Sequence, residues 1–207
     1  NQTLEAMAKC KDRILLTLAT GTGKTCIAFQ TAWKLFHSRW NLQAYKNPST
    51  AKKRPRILFL ADRNVLTKQA FNDFGAFGED AVVRVTPSEI RKEKGVPKNA
   101  SIFMAIFQTL MTDSSSTQNG KLGDEQELES EDYTQPEITD TTNCVFRQYP
   151  NDFFDFIIID ECHRGGANDE SSWRDILNYF APAVQLGLTA TPKRTDNDER
   201  YKYFGYP

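Results

Sequence analysis

The stretch Ala19-Thr20-Gly21-Thr22-Gly23-Lys24-Thr25 follows a short apolar run and precedes an amphipathic one. Its glycines let the backbone turn tightly enough for successive N–H groups to point inward, and a helix opening at Thr25 would aim its positive end at the same spot. A lysine there reaches the outer phosphates of a nucleotide, and the neighbouring hydroxyl is a hard oxygen ligand for Mg²⁺. Thr20, Gly21, Thr22, Gly23, Lys24 and Thr25 are therefore the candidate phosphate-binding loop for ATP with Mg²⁺. Lys24 also counts as catalytic and Thr25 as a metal ligand. The general pattern G-x-x-x-x-G-K-[ST] would place its first glycine at residue 18, where this chain has leucine.

A second group stands far downstream. Asp160-Glu161-Cys162-His163 comes directly after the apolar run Phe156-Ile157-Ile158-Ile159. A carboxylate at the tip of a buried strand can face Mg²⁺ through water, and a second one beside it can orient the attacking water. Asp160 and Glu161 fit those two roles, which makes both candidate catalytic residues and Asp160 a candidate metal ligand.

The surrounding pattern supplies elements to carry these groups. Brief apolar runs that read as buried strands occur at 14–19, 56–61, 81–85, 102–106, 154–159 and 185–188. Helical spacing appears from Thr25 toward Trp40 through Ile27, Ala28, Ala32, Leu35 and Phe36, from Asn64 to Phe74, and from Ser171 to Phe180. Buried strands alternating with helices predict an α/β fold, a doubly wound parallel sheet whose ligands gather at the strand C-terminal ends. Phe71, Phe74 and Phe77 fall where core aromatics belong, in preference to platforms for stacked bases.

Residues 113–152 break the rhythm. They hold ten acidic residues against two basic ones, with few aliphatics, and are too long for an ordinary connection. They read as an acidic polar surface insertion. Without them the net charge of −1 becomes about +7, enough to attract a polyanion modestly, although solvated surface charge accounts for it as well. A hydrophobic fraction of 39% over 207 residues fits one globular domain. The four cysteines are scattered with no C-x-x-C pair, so neither a zinc site nor a disulfide framework is indicated, and a reducing cytoplasm fits. No apolar run approaches the roughly 20 residues of a membrane helix.

Taken together, the motifs resemble the RecA-like, P-loop motor lobes of superfamily 2 helicases and translocases. Ala19 to Thr25 is similar to motif I, Asp160 to His163 to the DExH-type motif II, and Leu188-Thr189-Ala190-Thr191-Pro192 to motif III. In that family the position of Leu18 is commonly not glycine. The resemblance implies that Thr189 and Thr191 couple the nucleotide state to the nucleic-acid path, with His163 near that linkage. Further stretches resemble the R subunit of type I restriction enzymes: Phe59-Leu60-Ala61-Asp62-Arg63-Asn64-Val65-Leu66-Thr67-Lys68-Gln69, Phe107-Gln108-Thr109-Leu110, and Thr191-Pro192-Lys193-Arg194-Thr195-Asp196 followed by Tyr203-Phe204-Gly205.

That resemblance implies a first ATPase lobe, motifs I to III over residues 1–207, that hydrolyses ATP to drive translocation along double-stranded DNA. It also implies methyltransferase and specificity subunits as partners, with a nuclease domain before Asn1 and a second lobe after Pro207, both outside this chain. Type III restriction subunits and DNA repair helicases share several of the stretches, so another superfamily 2 DNA or RNA helicase is the alternative reading. Translocases track phosphate and sugar, which calls for hydroxyls, amides and cations. Lys68, Gln69, Arg84, Thr86, Gln108 and Thr109 are the candidates for that face, each also explicable as solvated surface or a helix cap.

Overall fold

The computed structural model describes residues 2–19, 21–42, 53–61, 71, 74–114, 141–160, 174–189, 203 and 204. Six strands form one sheet: β1 (Arg13–Thr17), β2 (Ile57–Ala61), β3 (Val82–Arg84), β4 (Ile102–Ile106), β5 (Phe156–Asp160) and β6 (Val184–Thr189). Their order across the sheet is β1-β6-β5-β2-β4-β3, and every pairing is parallel. All six fall where the apolar runs predict them, with ends shifted by at most two residues.

β2, β4, β5 and β6 are buried along their whole length, as parallel strands covered on both faces must be. Side chains alternate between two cores. One face carries Leu58, Leu60, Phe103, Ala105, Ile157 and Ile159, packed under Ile176 and Leu177 of the helical segment 174–179. The other carries Ile57, Phe59, Met104, Phe156, Ile158 and Leu186, covered by helix α2 (Lys24–Ser38) through Ala28, Ala32, Leu35 and Phe36. Phe74 and Phe77 are 0% and 7% exposed and pack edge-on against Phe29 of α2, so they are core, as their spacing predicts. A helix over 64–74 falls mostly outside the described residues; Phe74–Phe77 forms a 3-10 turn. Before β1 lies the short helix α1 (Gln2–Ala8).

The first departure from the sequence expectation is the helix α3 (Pro87–Glu93), which follows β3. Thr86 is its N-cap, its Oγ1 accepting the Glu89 N–H at 3.2 Å, with proline in the first turn. Thr-Pro-Ser-Glu is a recognisable helix-start signal that the apolar periodicity alone passes over. The helix α4 (Phe107–Met111) begins directly at the end of β4.

The second departure concerns the insertion. Residues 141–152, expected as its tail, include part of the core: Cys144, Val145, Phe146 and Tyr149 are all 2% exposed or less. A 3-10 turn spans Val145–Gln148, and Tyr149 donates its hydroxyl to the Pro97 carbonyl at 3.0 Å. Burial, with Glu93 adding to it, pushes that hydroxyl's pKa well up. Asp113 forms an antiparallel bridge with Cys144, and the Ser114 N–H donates to Asn143 O at 2.9 Å. A surface insertion therefore cannot extend to residue 152, because four residues of its expected tail fill the core. Residues 115–140 lie outside the described residues.

At the N-terminal end of β5, Asp155 joins two elements. Its carboxylate accepts the Leu42 N–H on Oδ1 and the Arg56 N–H on Oδ2, both at 2.9 Å. It thereby ties the chain after α2 to the approach of β2. Burial raises its pKa above the ordinary value, against the lowering effect of those two N–H groups and of the Arg56 charge.

Candidate functional site

The C-terminal edge of the sheet brings together what the sequence keeps far apart. β6 lies between β1 and β5, so the loop leaving β1 and the carboxylate ending β5 are two strand spacings apart, about 10 Å. Thr17 is level with Thr189, and Asp160 with Leu188. The tips of the strands bearing motifs I, II and III thus stand side by side in one row.

The loop after β1 has the backbone its chemistry asks for. Gly21 and Gly23 sit at φ 78° and 80°. Gly23 is the residue before α2 and is left-handed there (ψ 37°), with no side-chain cap; a side chain at that position would be strained. Thr22 closes the turn, its Oγ1 donating to Ala19 O at 2.6 Å and its N–H to the same oxygen at 3.3 Å. The first bond into the helix runs from Ile27 N–H to Gly23 O. The amides of Lys24, Thr25 and Cys26 therefore have no carbonyl four residues back within the helix, and they face its open end. No acidic residue occupies the first turn of α2, so no carboxylate of that turn offsets the positive end of the helix dipole. Lys24 is 8% exposed, Thr25 half-buried, and Asp160, at the tip of β5, 5% exposed. Thr189 is 4% exposed. Thr20, Glu161, His163 and Thr191 lie outside the described residues.

A groove of about 310 Å³ opens beside the loop, between α1 and α2, with Leu16, Leu18, Cys26, Ile27 and Gln30 among its walls. Leu18 and Cys26 are the residues on either side of the phosphate loop, so the groove adjoins it. Among the described residues no group of three or more His, Cys, Asp and Glu side chains is placed to hold a metal ion. None of the helices found there is long and apolar enough to cross a membrane, and among the described residues Cys10, Cys26 and Cys144 form no disulfide.

The candidates for the nucleic-acid face divide. Arg84 ends β3, and Gln108 follows β4 in α4. Both are half-buried at the same C-terminal edge, on the half of the sheet away from the phosphate loop. Gln108 Oε1 is buried and has no hydrogen-bond partner among the described residues. Thr86 is occupied as the cap of α3 and hydrogen-bonds Ser88 at 2.9 Å, and Thr109 is 3% exposed. These two threonines serve the scaffold, while Lys68 and Gln69 lie outside the described residues. Sequence reasoning missed Asp155 and Gln185, whose side-chain contacts with other elements leave no signal in the residue pattern.

Comparison with known proteins follows the same lines. The family described as "Type III restriction enzyme, res subunit" matches residues 1–194. The chain is 38% identical over 208 residues to the type I restriction enzyme EcoAI endonuclease subunit of Escherichia coli, covering 100% of this chain and 20% of that protein. It is 30% identical over 209 residues to the EcoKI endonuclease subunit of Escherichia coli strain K12, covering 91% of this chain and 14% of that one. This chain therefore spans a fifth or less of those relatives. Among solved structures, the Hef helicase domain of Pyrococcus furiosus superposes with a TM-score of 0.55 at 22% identity, over 95% of this chain and 34% of that one. That likeness supports the RecA-like fold.

Proposed function

This chain belongs to the type III restriction enzyme, res subunit family, and from that premise we propose that it is the first ATPase lobe of a type I restriction R subunit, hydrolysing ATP to drive movement along double-stranded DNA. The observation that carries the reading is the alignment of three strand tips, with the phosphate loop after β1, Thr189 ending β6 and Asp160 ending β5. The 38% identity to the EcoAI subunit supports the narrower assignment.

The roles follow from position. The amides of Gly21 to Thr25 and the Lys24 ammonium hold the β- and γ-phosphates, where oriented donors are most effective on developing charge. The Thr25 hydroxyl and, through water, the Asp160 carboxylate would hold Mg²⁺, which when bound neutralises charge on the phosphate oxygens. Glu161, next along from Asp160, orients the attacking water and takes its proton. The groove between α1 and α2 receives the nucleoside end. Thr189, Thr191 and His163 transmit the nucleotide state to the polymer side, where Arg84 and Gln108, with Lys68 and Gln69, meet the phosphate backbone. Methyltransferase and specificity subunits would complete the assembly.

Calorimetric titration of the chain with ATP and Mg²⁺ tests the core of this reading. Binding should be measurable for the wild type and lost in Lys24→Ala, and equal binding by both would remove the phosphate-loop assignment. In the full-length protein, phosphate release should rise with duplex DNA in the presence of the partner subunits. Strong stimulation by RNA with the subunit alone would point instead to a helicase.

A further inference from the structure

β6 shows two unequal faces. Val184, Leu186 and Leu188 enter the core under α2, whereas the alternate positions Gln185, Gly187 and Thr189 carry no large apolar side chain. A buried strand with such a face needs cover from another segment. Tyr203 and Phe204 provide it. Phe204 is 4% exposed and joins the same cluster as Ile176, Leu177 and Phe180. A Cβ added at Gly187 would stand 3.0 Å from Phe204 Cζ and 3.0 Å from Cδ1 of Leu15, the register partner of Gly187 on β1. The phenyl ring thus occupies a notch that exists because residue 187 has no side chain. Beside it, Tyr203 donates its hydroxyl to Gln185 Oε1 at 2.7 Å, and Gln185 Nε2 donates to Leu177 O at 2.9 Å. Gln185 is 0% exposed, so these partners are what make its burial tolerable. The Arg13 guanidinium lies 5.6 Å from the Tyr203 ring centre and donates to Ala183 O at 3.0 Å.

The same strand pair runs on into the phosphate loop. Past the last register pair, the Leu18 N–H donates to Thr189 O at 2.9 Å. The next carbonyl, that of Ala19, accepts both bonds that close the Thr22 turn. Packing at Gly187 is therefore linked to the shape of the loop through two residues of β6 and one backbone hydrogen bond.

We propose that Phe204, seated on Gly187 beside the Tyr203–Gln185 bond, is a positioning residue for ATP hydrolysis that holds β6 against β1 so that Thr189 fixes the entrance of the phosphate loop. The proposal rests on the reading of this chain as an ATPase lobe. Without the ring, β6 loses its cover on one face and the Leu18–Thr189 bond opens more often. The loop still binds nucleotide, but it spends less time in the geometry that reacts.

The test compares wild type, Phe204→Ala and the conservative Phe204→Leu in the full-length protein, by amide hydrogen exchange and by ATP turnover stimulated by duplex DNA in the presence of the partner subunits. In Phe204→Ala the Leu18 amide should exchange about tenfold faster while the Phe59 and Met104 amides of β2 and β4 hold steady, because the opening is local. In that variant kcat should fall about tenfold with KM for ATP within about twofold, the mark of lost positioning and not of lost binding. Phe204→Leu, which keeps an apolar side chain in the notch, should stay close to wild type in both. Unchanged exchange at Leu18, an equal acceleration at Phe59 and Met104, or wild-type turnover in Phe204→Ala would each overturn the proposal. Failure of the ATPase reading would look different, since the wild type itself would then show no turnover.

Discussion

Replacing Asp155 separates structural from catalytic carboxylates on β5 and its approach. Asp155→Ala removes the acceptor for two backbone N–H groups held at 2.9 Å, those of Leu42 and Arg56. A hydrogen bond to a charged acceptor contributes about 1.5–3 kcal/mol. Arg56 is exposed and its N–H regains water on substitution, whereas the bond from Leu42 is partly buried. The loss is also reduced by release from desolvating the ionised carboxylate, the dominant cause of its raised pKa. A net destabilisation of about 2–3 kcal/mol follows, which for a domain of this size lowers Tm by roughly 4–12 °C.

Asp155→Asn keeps one acceptor oxygen but turns an amide NH₂ toward the second N–H, so its cost at neutral pH should be about half as large. Because the folded-state pKa of Asp155 is raised, the native protein holds a proton that the unfolded chain has already released. Between 3.8 and the raised value the group's contribution to stability therefore declines as pH rises, and above that window it is constant. Urea unfolding followed by tryptophan fluorescence at several pH values measures both effects. The gap between wild type and Asp155→Asn should narrow as the pH climbs out of the acid range. An Asp155→Ala midpoint equal to wild type, or a gap that widens with pH, would refute the clamp.

Other expectations concern the site and the scaffold. In the full-length protein Glu161→Gln should still bind ATP yet slow single-turnover hydrolysis by orders of magnitude, measured by quench-flow. Thr191→Ala should retain nucleotide affinity while losing movement per ATP, scored by triplex displacement against phosphate release. Thr86→Ala should cost about 1 kcal/mol in urea unfolding through the lost cap of α3. Replacing residues 116–139 with a short Gly/Ser linker should preserve cooperative unfolding and nucleotide affinity, because Asp113 and Cys144 already pair at the base of the segment.

The glycine turn after β1 and the position of Asp160 at the tip of β5 were legible because their signals are local: a glycine pair between a strand and a helix, and a carboxylate at the end of four apolar residues. Strand positions were legible for the same reason. The order of strands was not, since nothing in Arg13–Thr17 says that its neighbour begins at Val184. Residues 144–149 were misplaced because an acidic, polar context outweighs a short apolar run that packs against distant strands. Thr86 carried a readable cap signal that the functional reading absorbed too readily. Asp155 acts through bonds to segments about a hundred residues away and Gln185 through bonds to the helical segment before β6 and to Tyr203, which composition and periodicity do not encode.

The pairing of β1 with β6 has a consequence for how the domain comes into being. The bond from Arg13 to Ala183 O closes a loop of 170 residues, among the costliest contacts the chain makes in conformational entropy. Of the six strands β1 is the first to be synthesised, yet the only described strand it pairs with, β6, is the last of them. Until β6 arrives, β1 exposes half-buried Leu15 and Leu16 along an unpaired edge, an opening for wrong partners. The loop after β1 thus gains its neighbouring strand only once the last of the six strands has been made, and a nascent chain halted before β6 would present that open edge to chaperones.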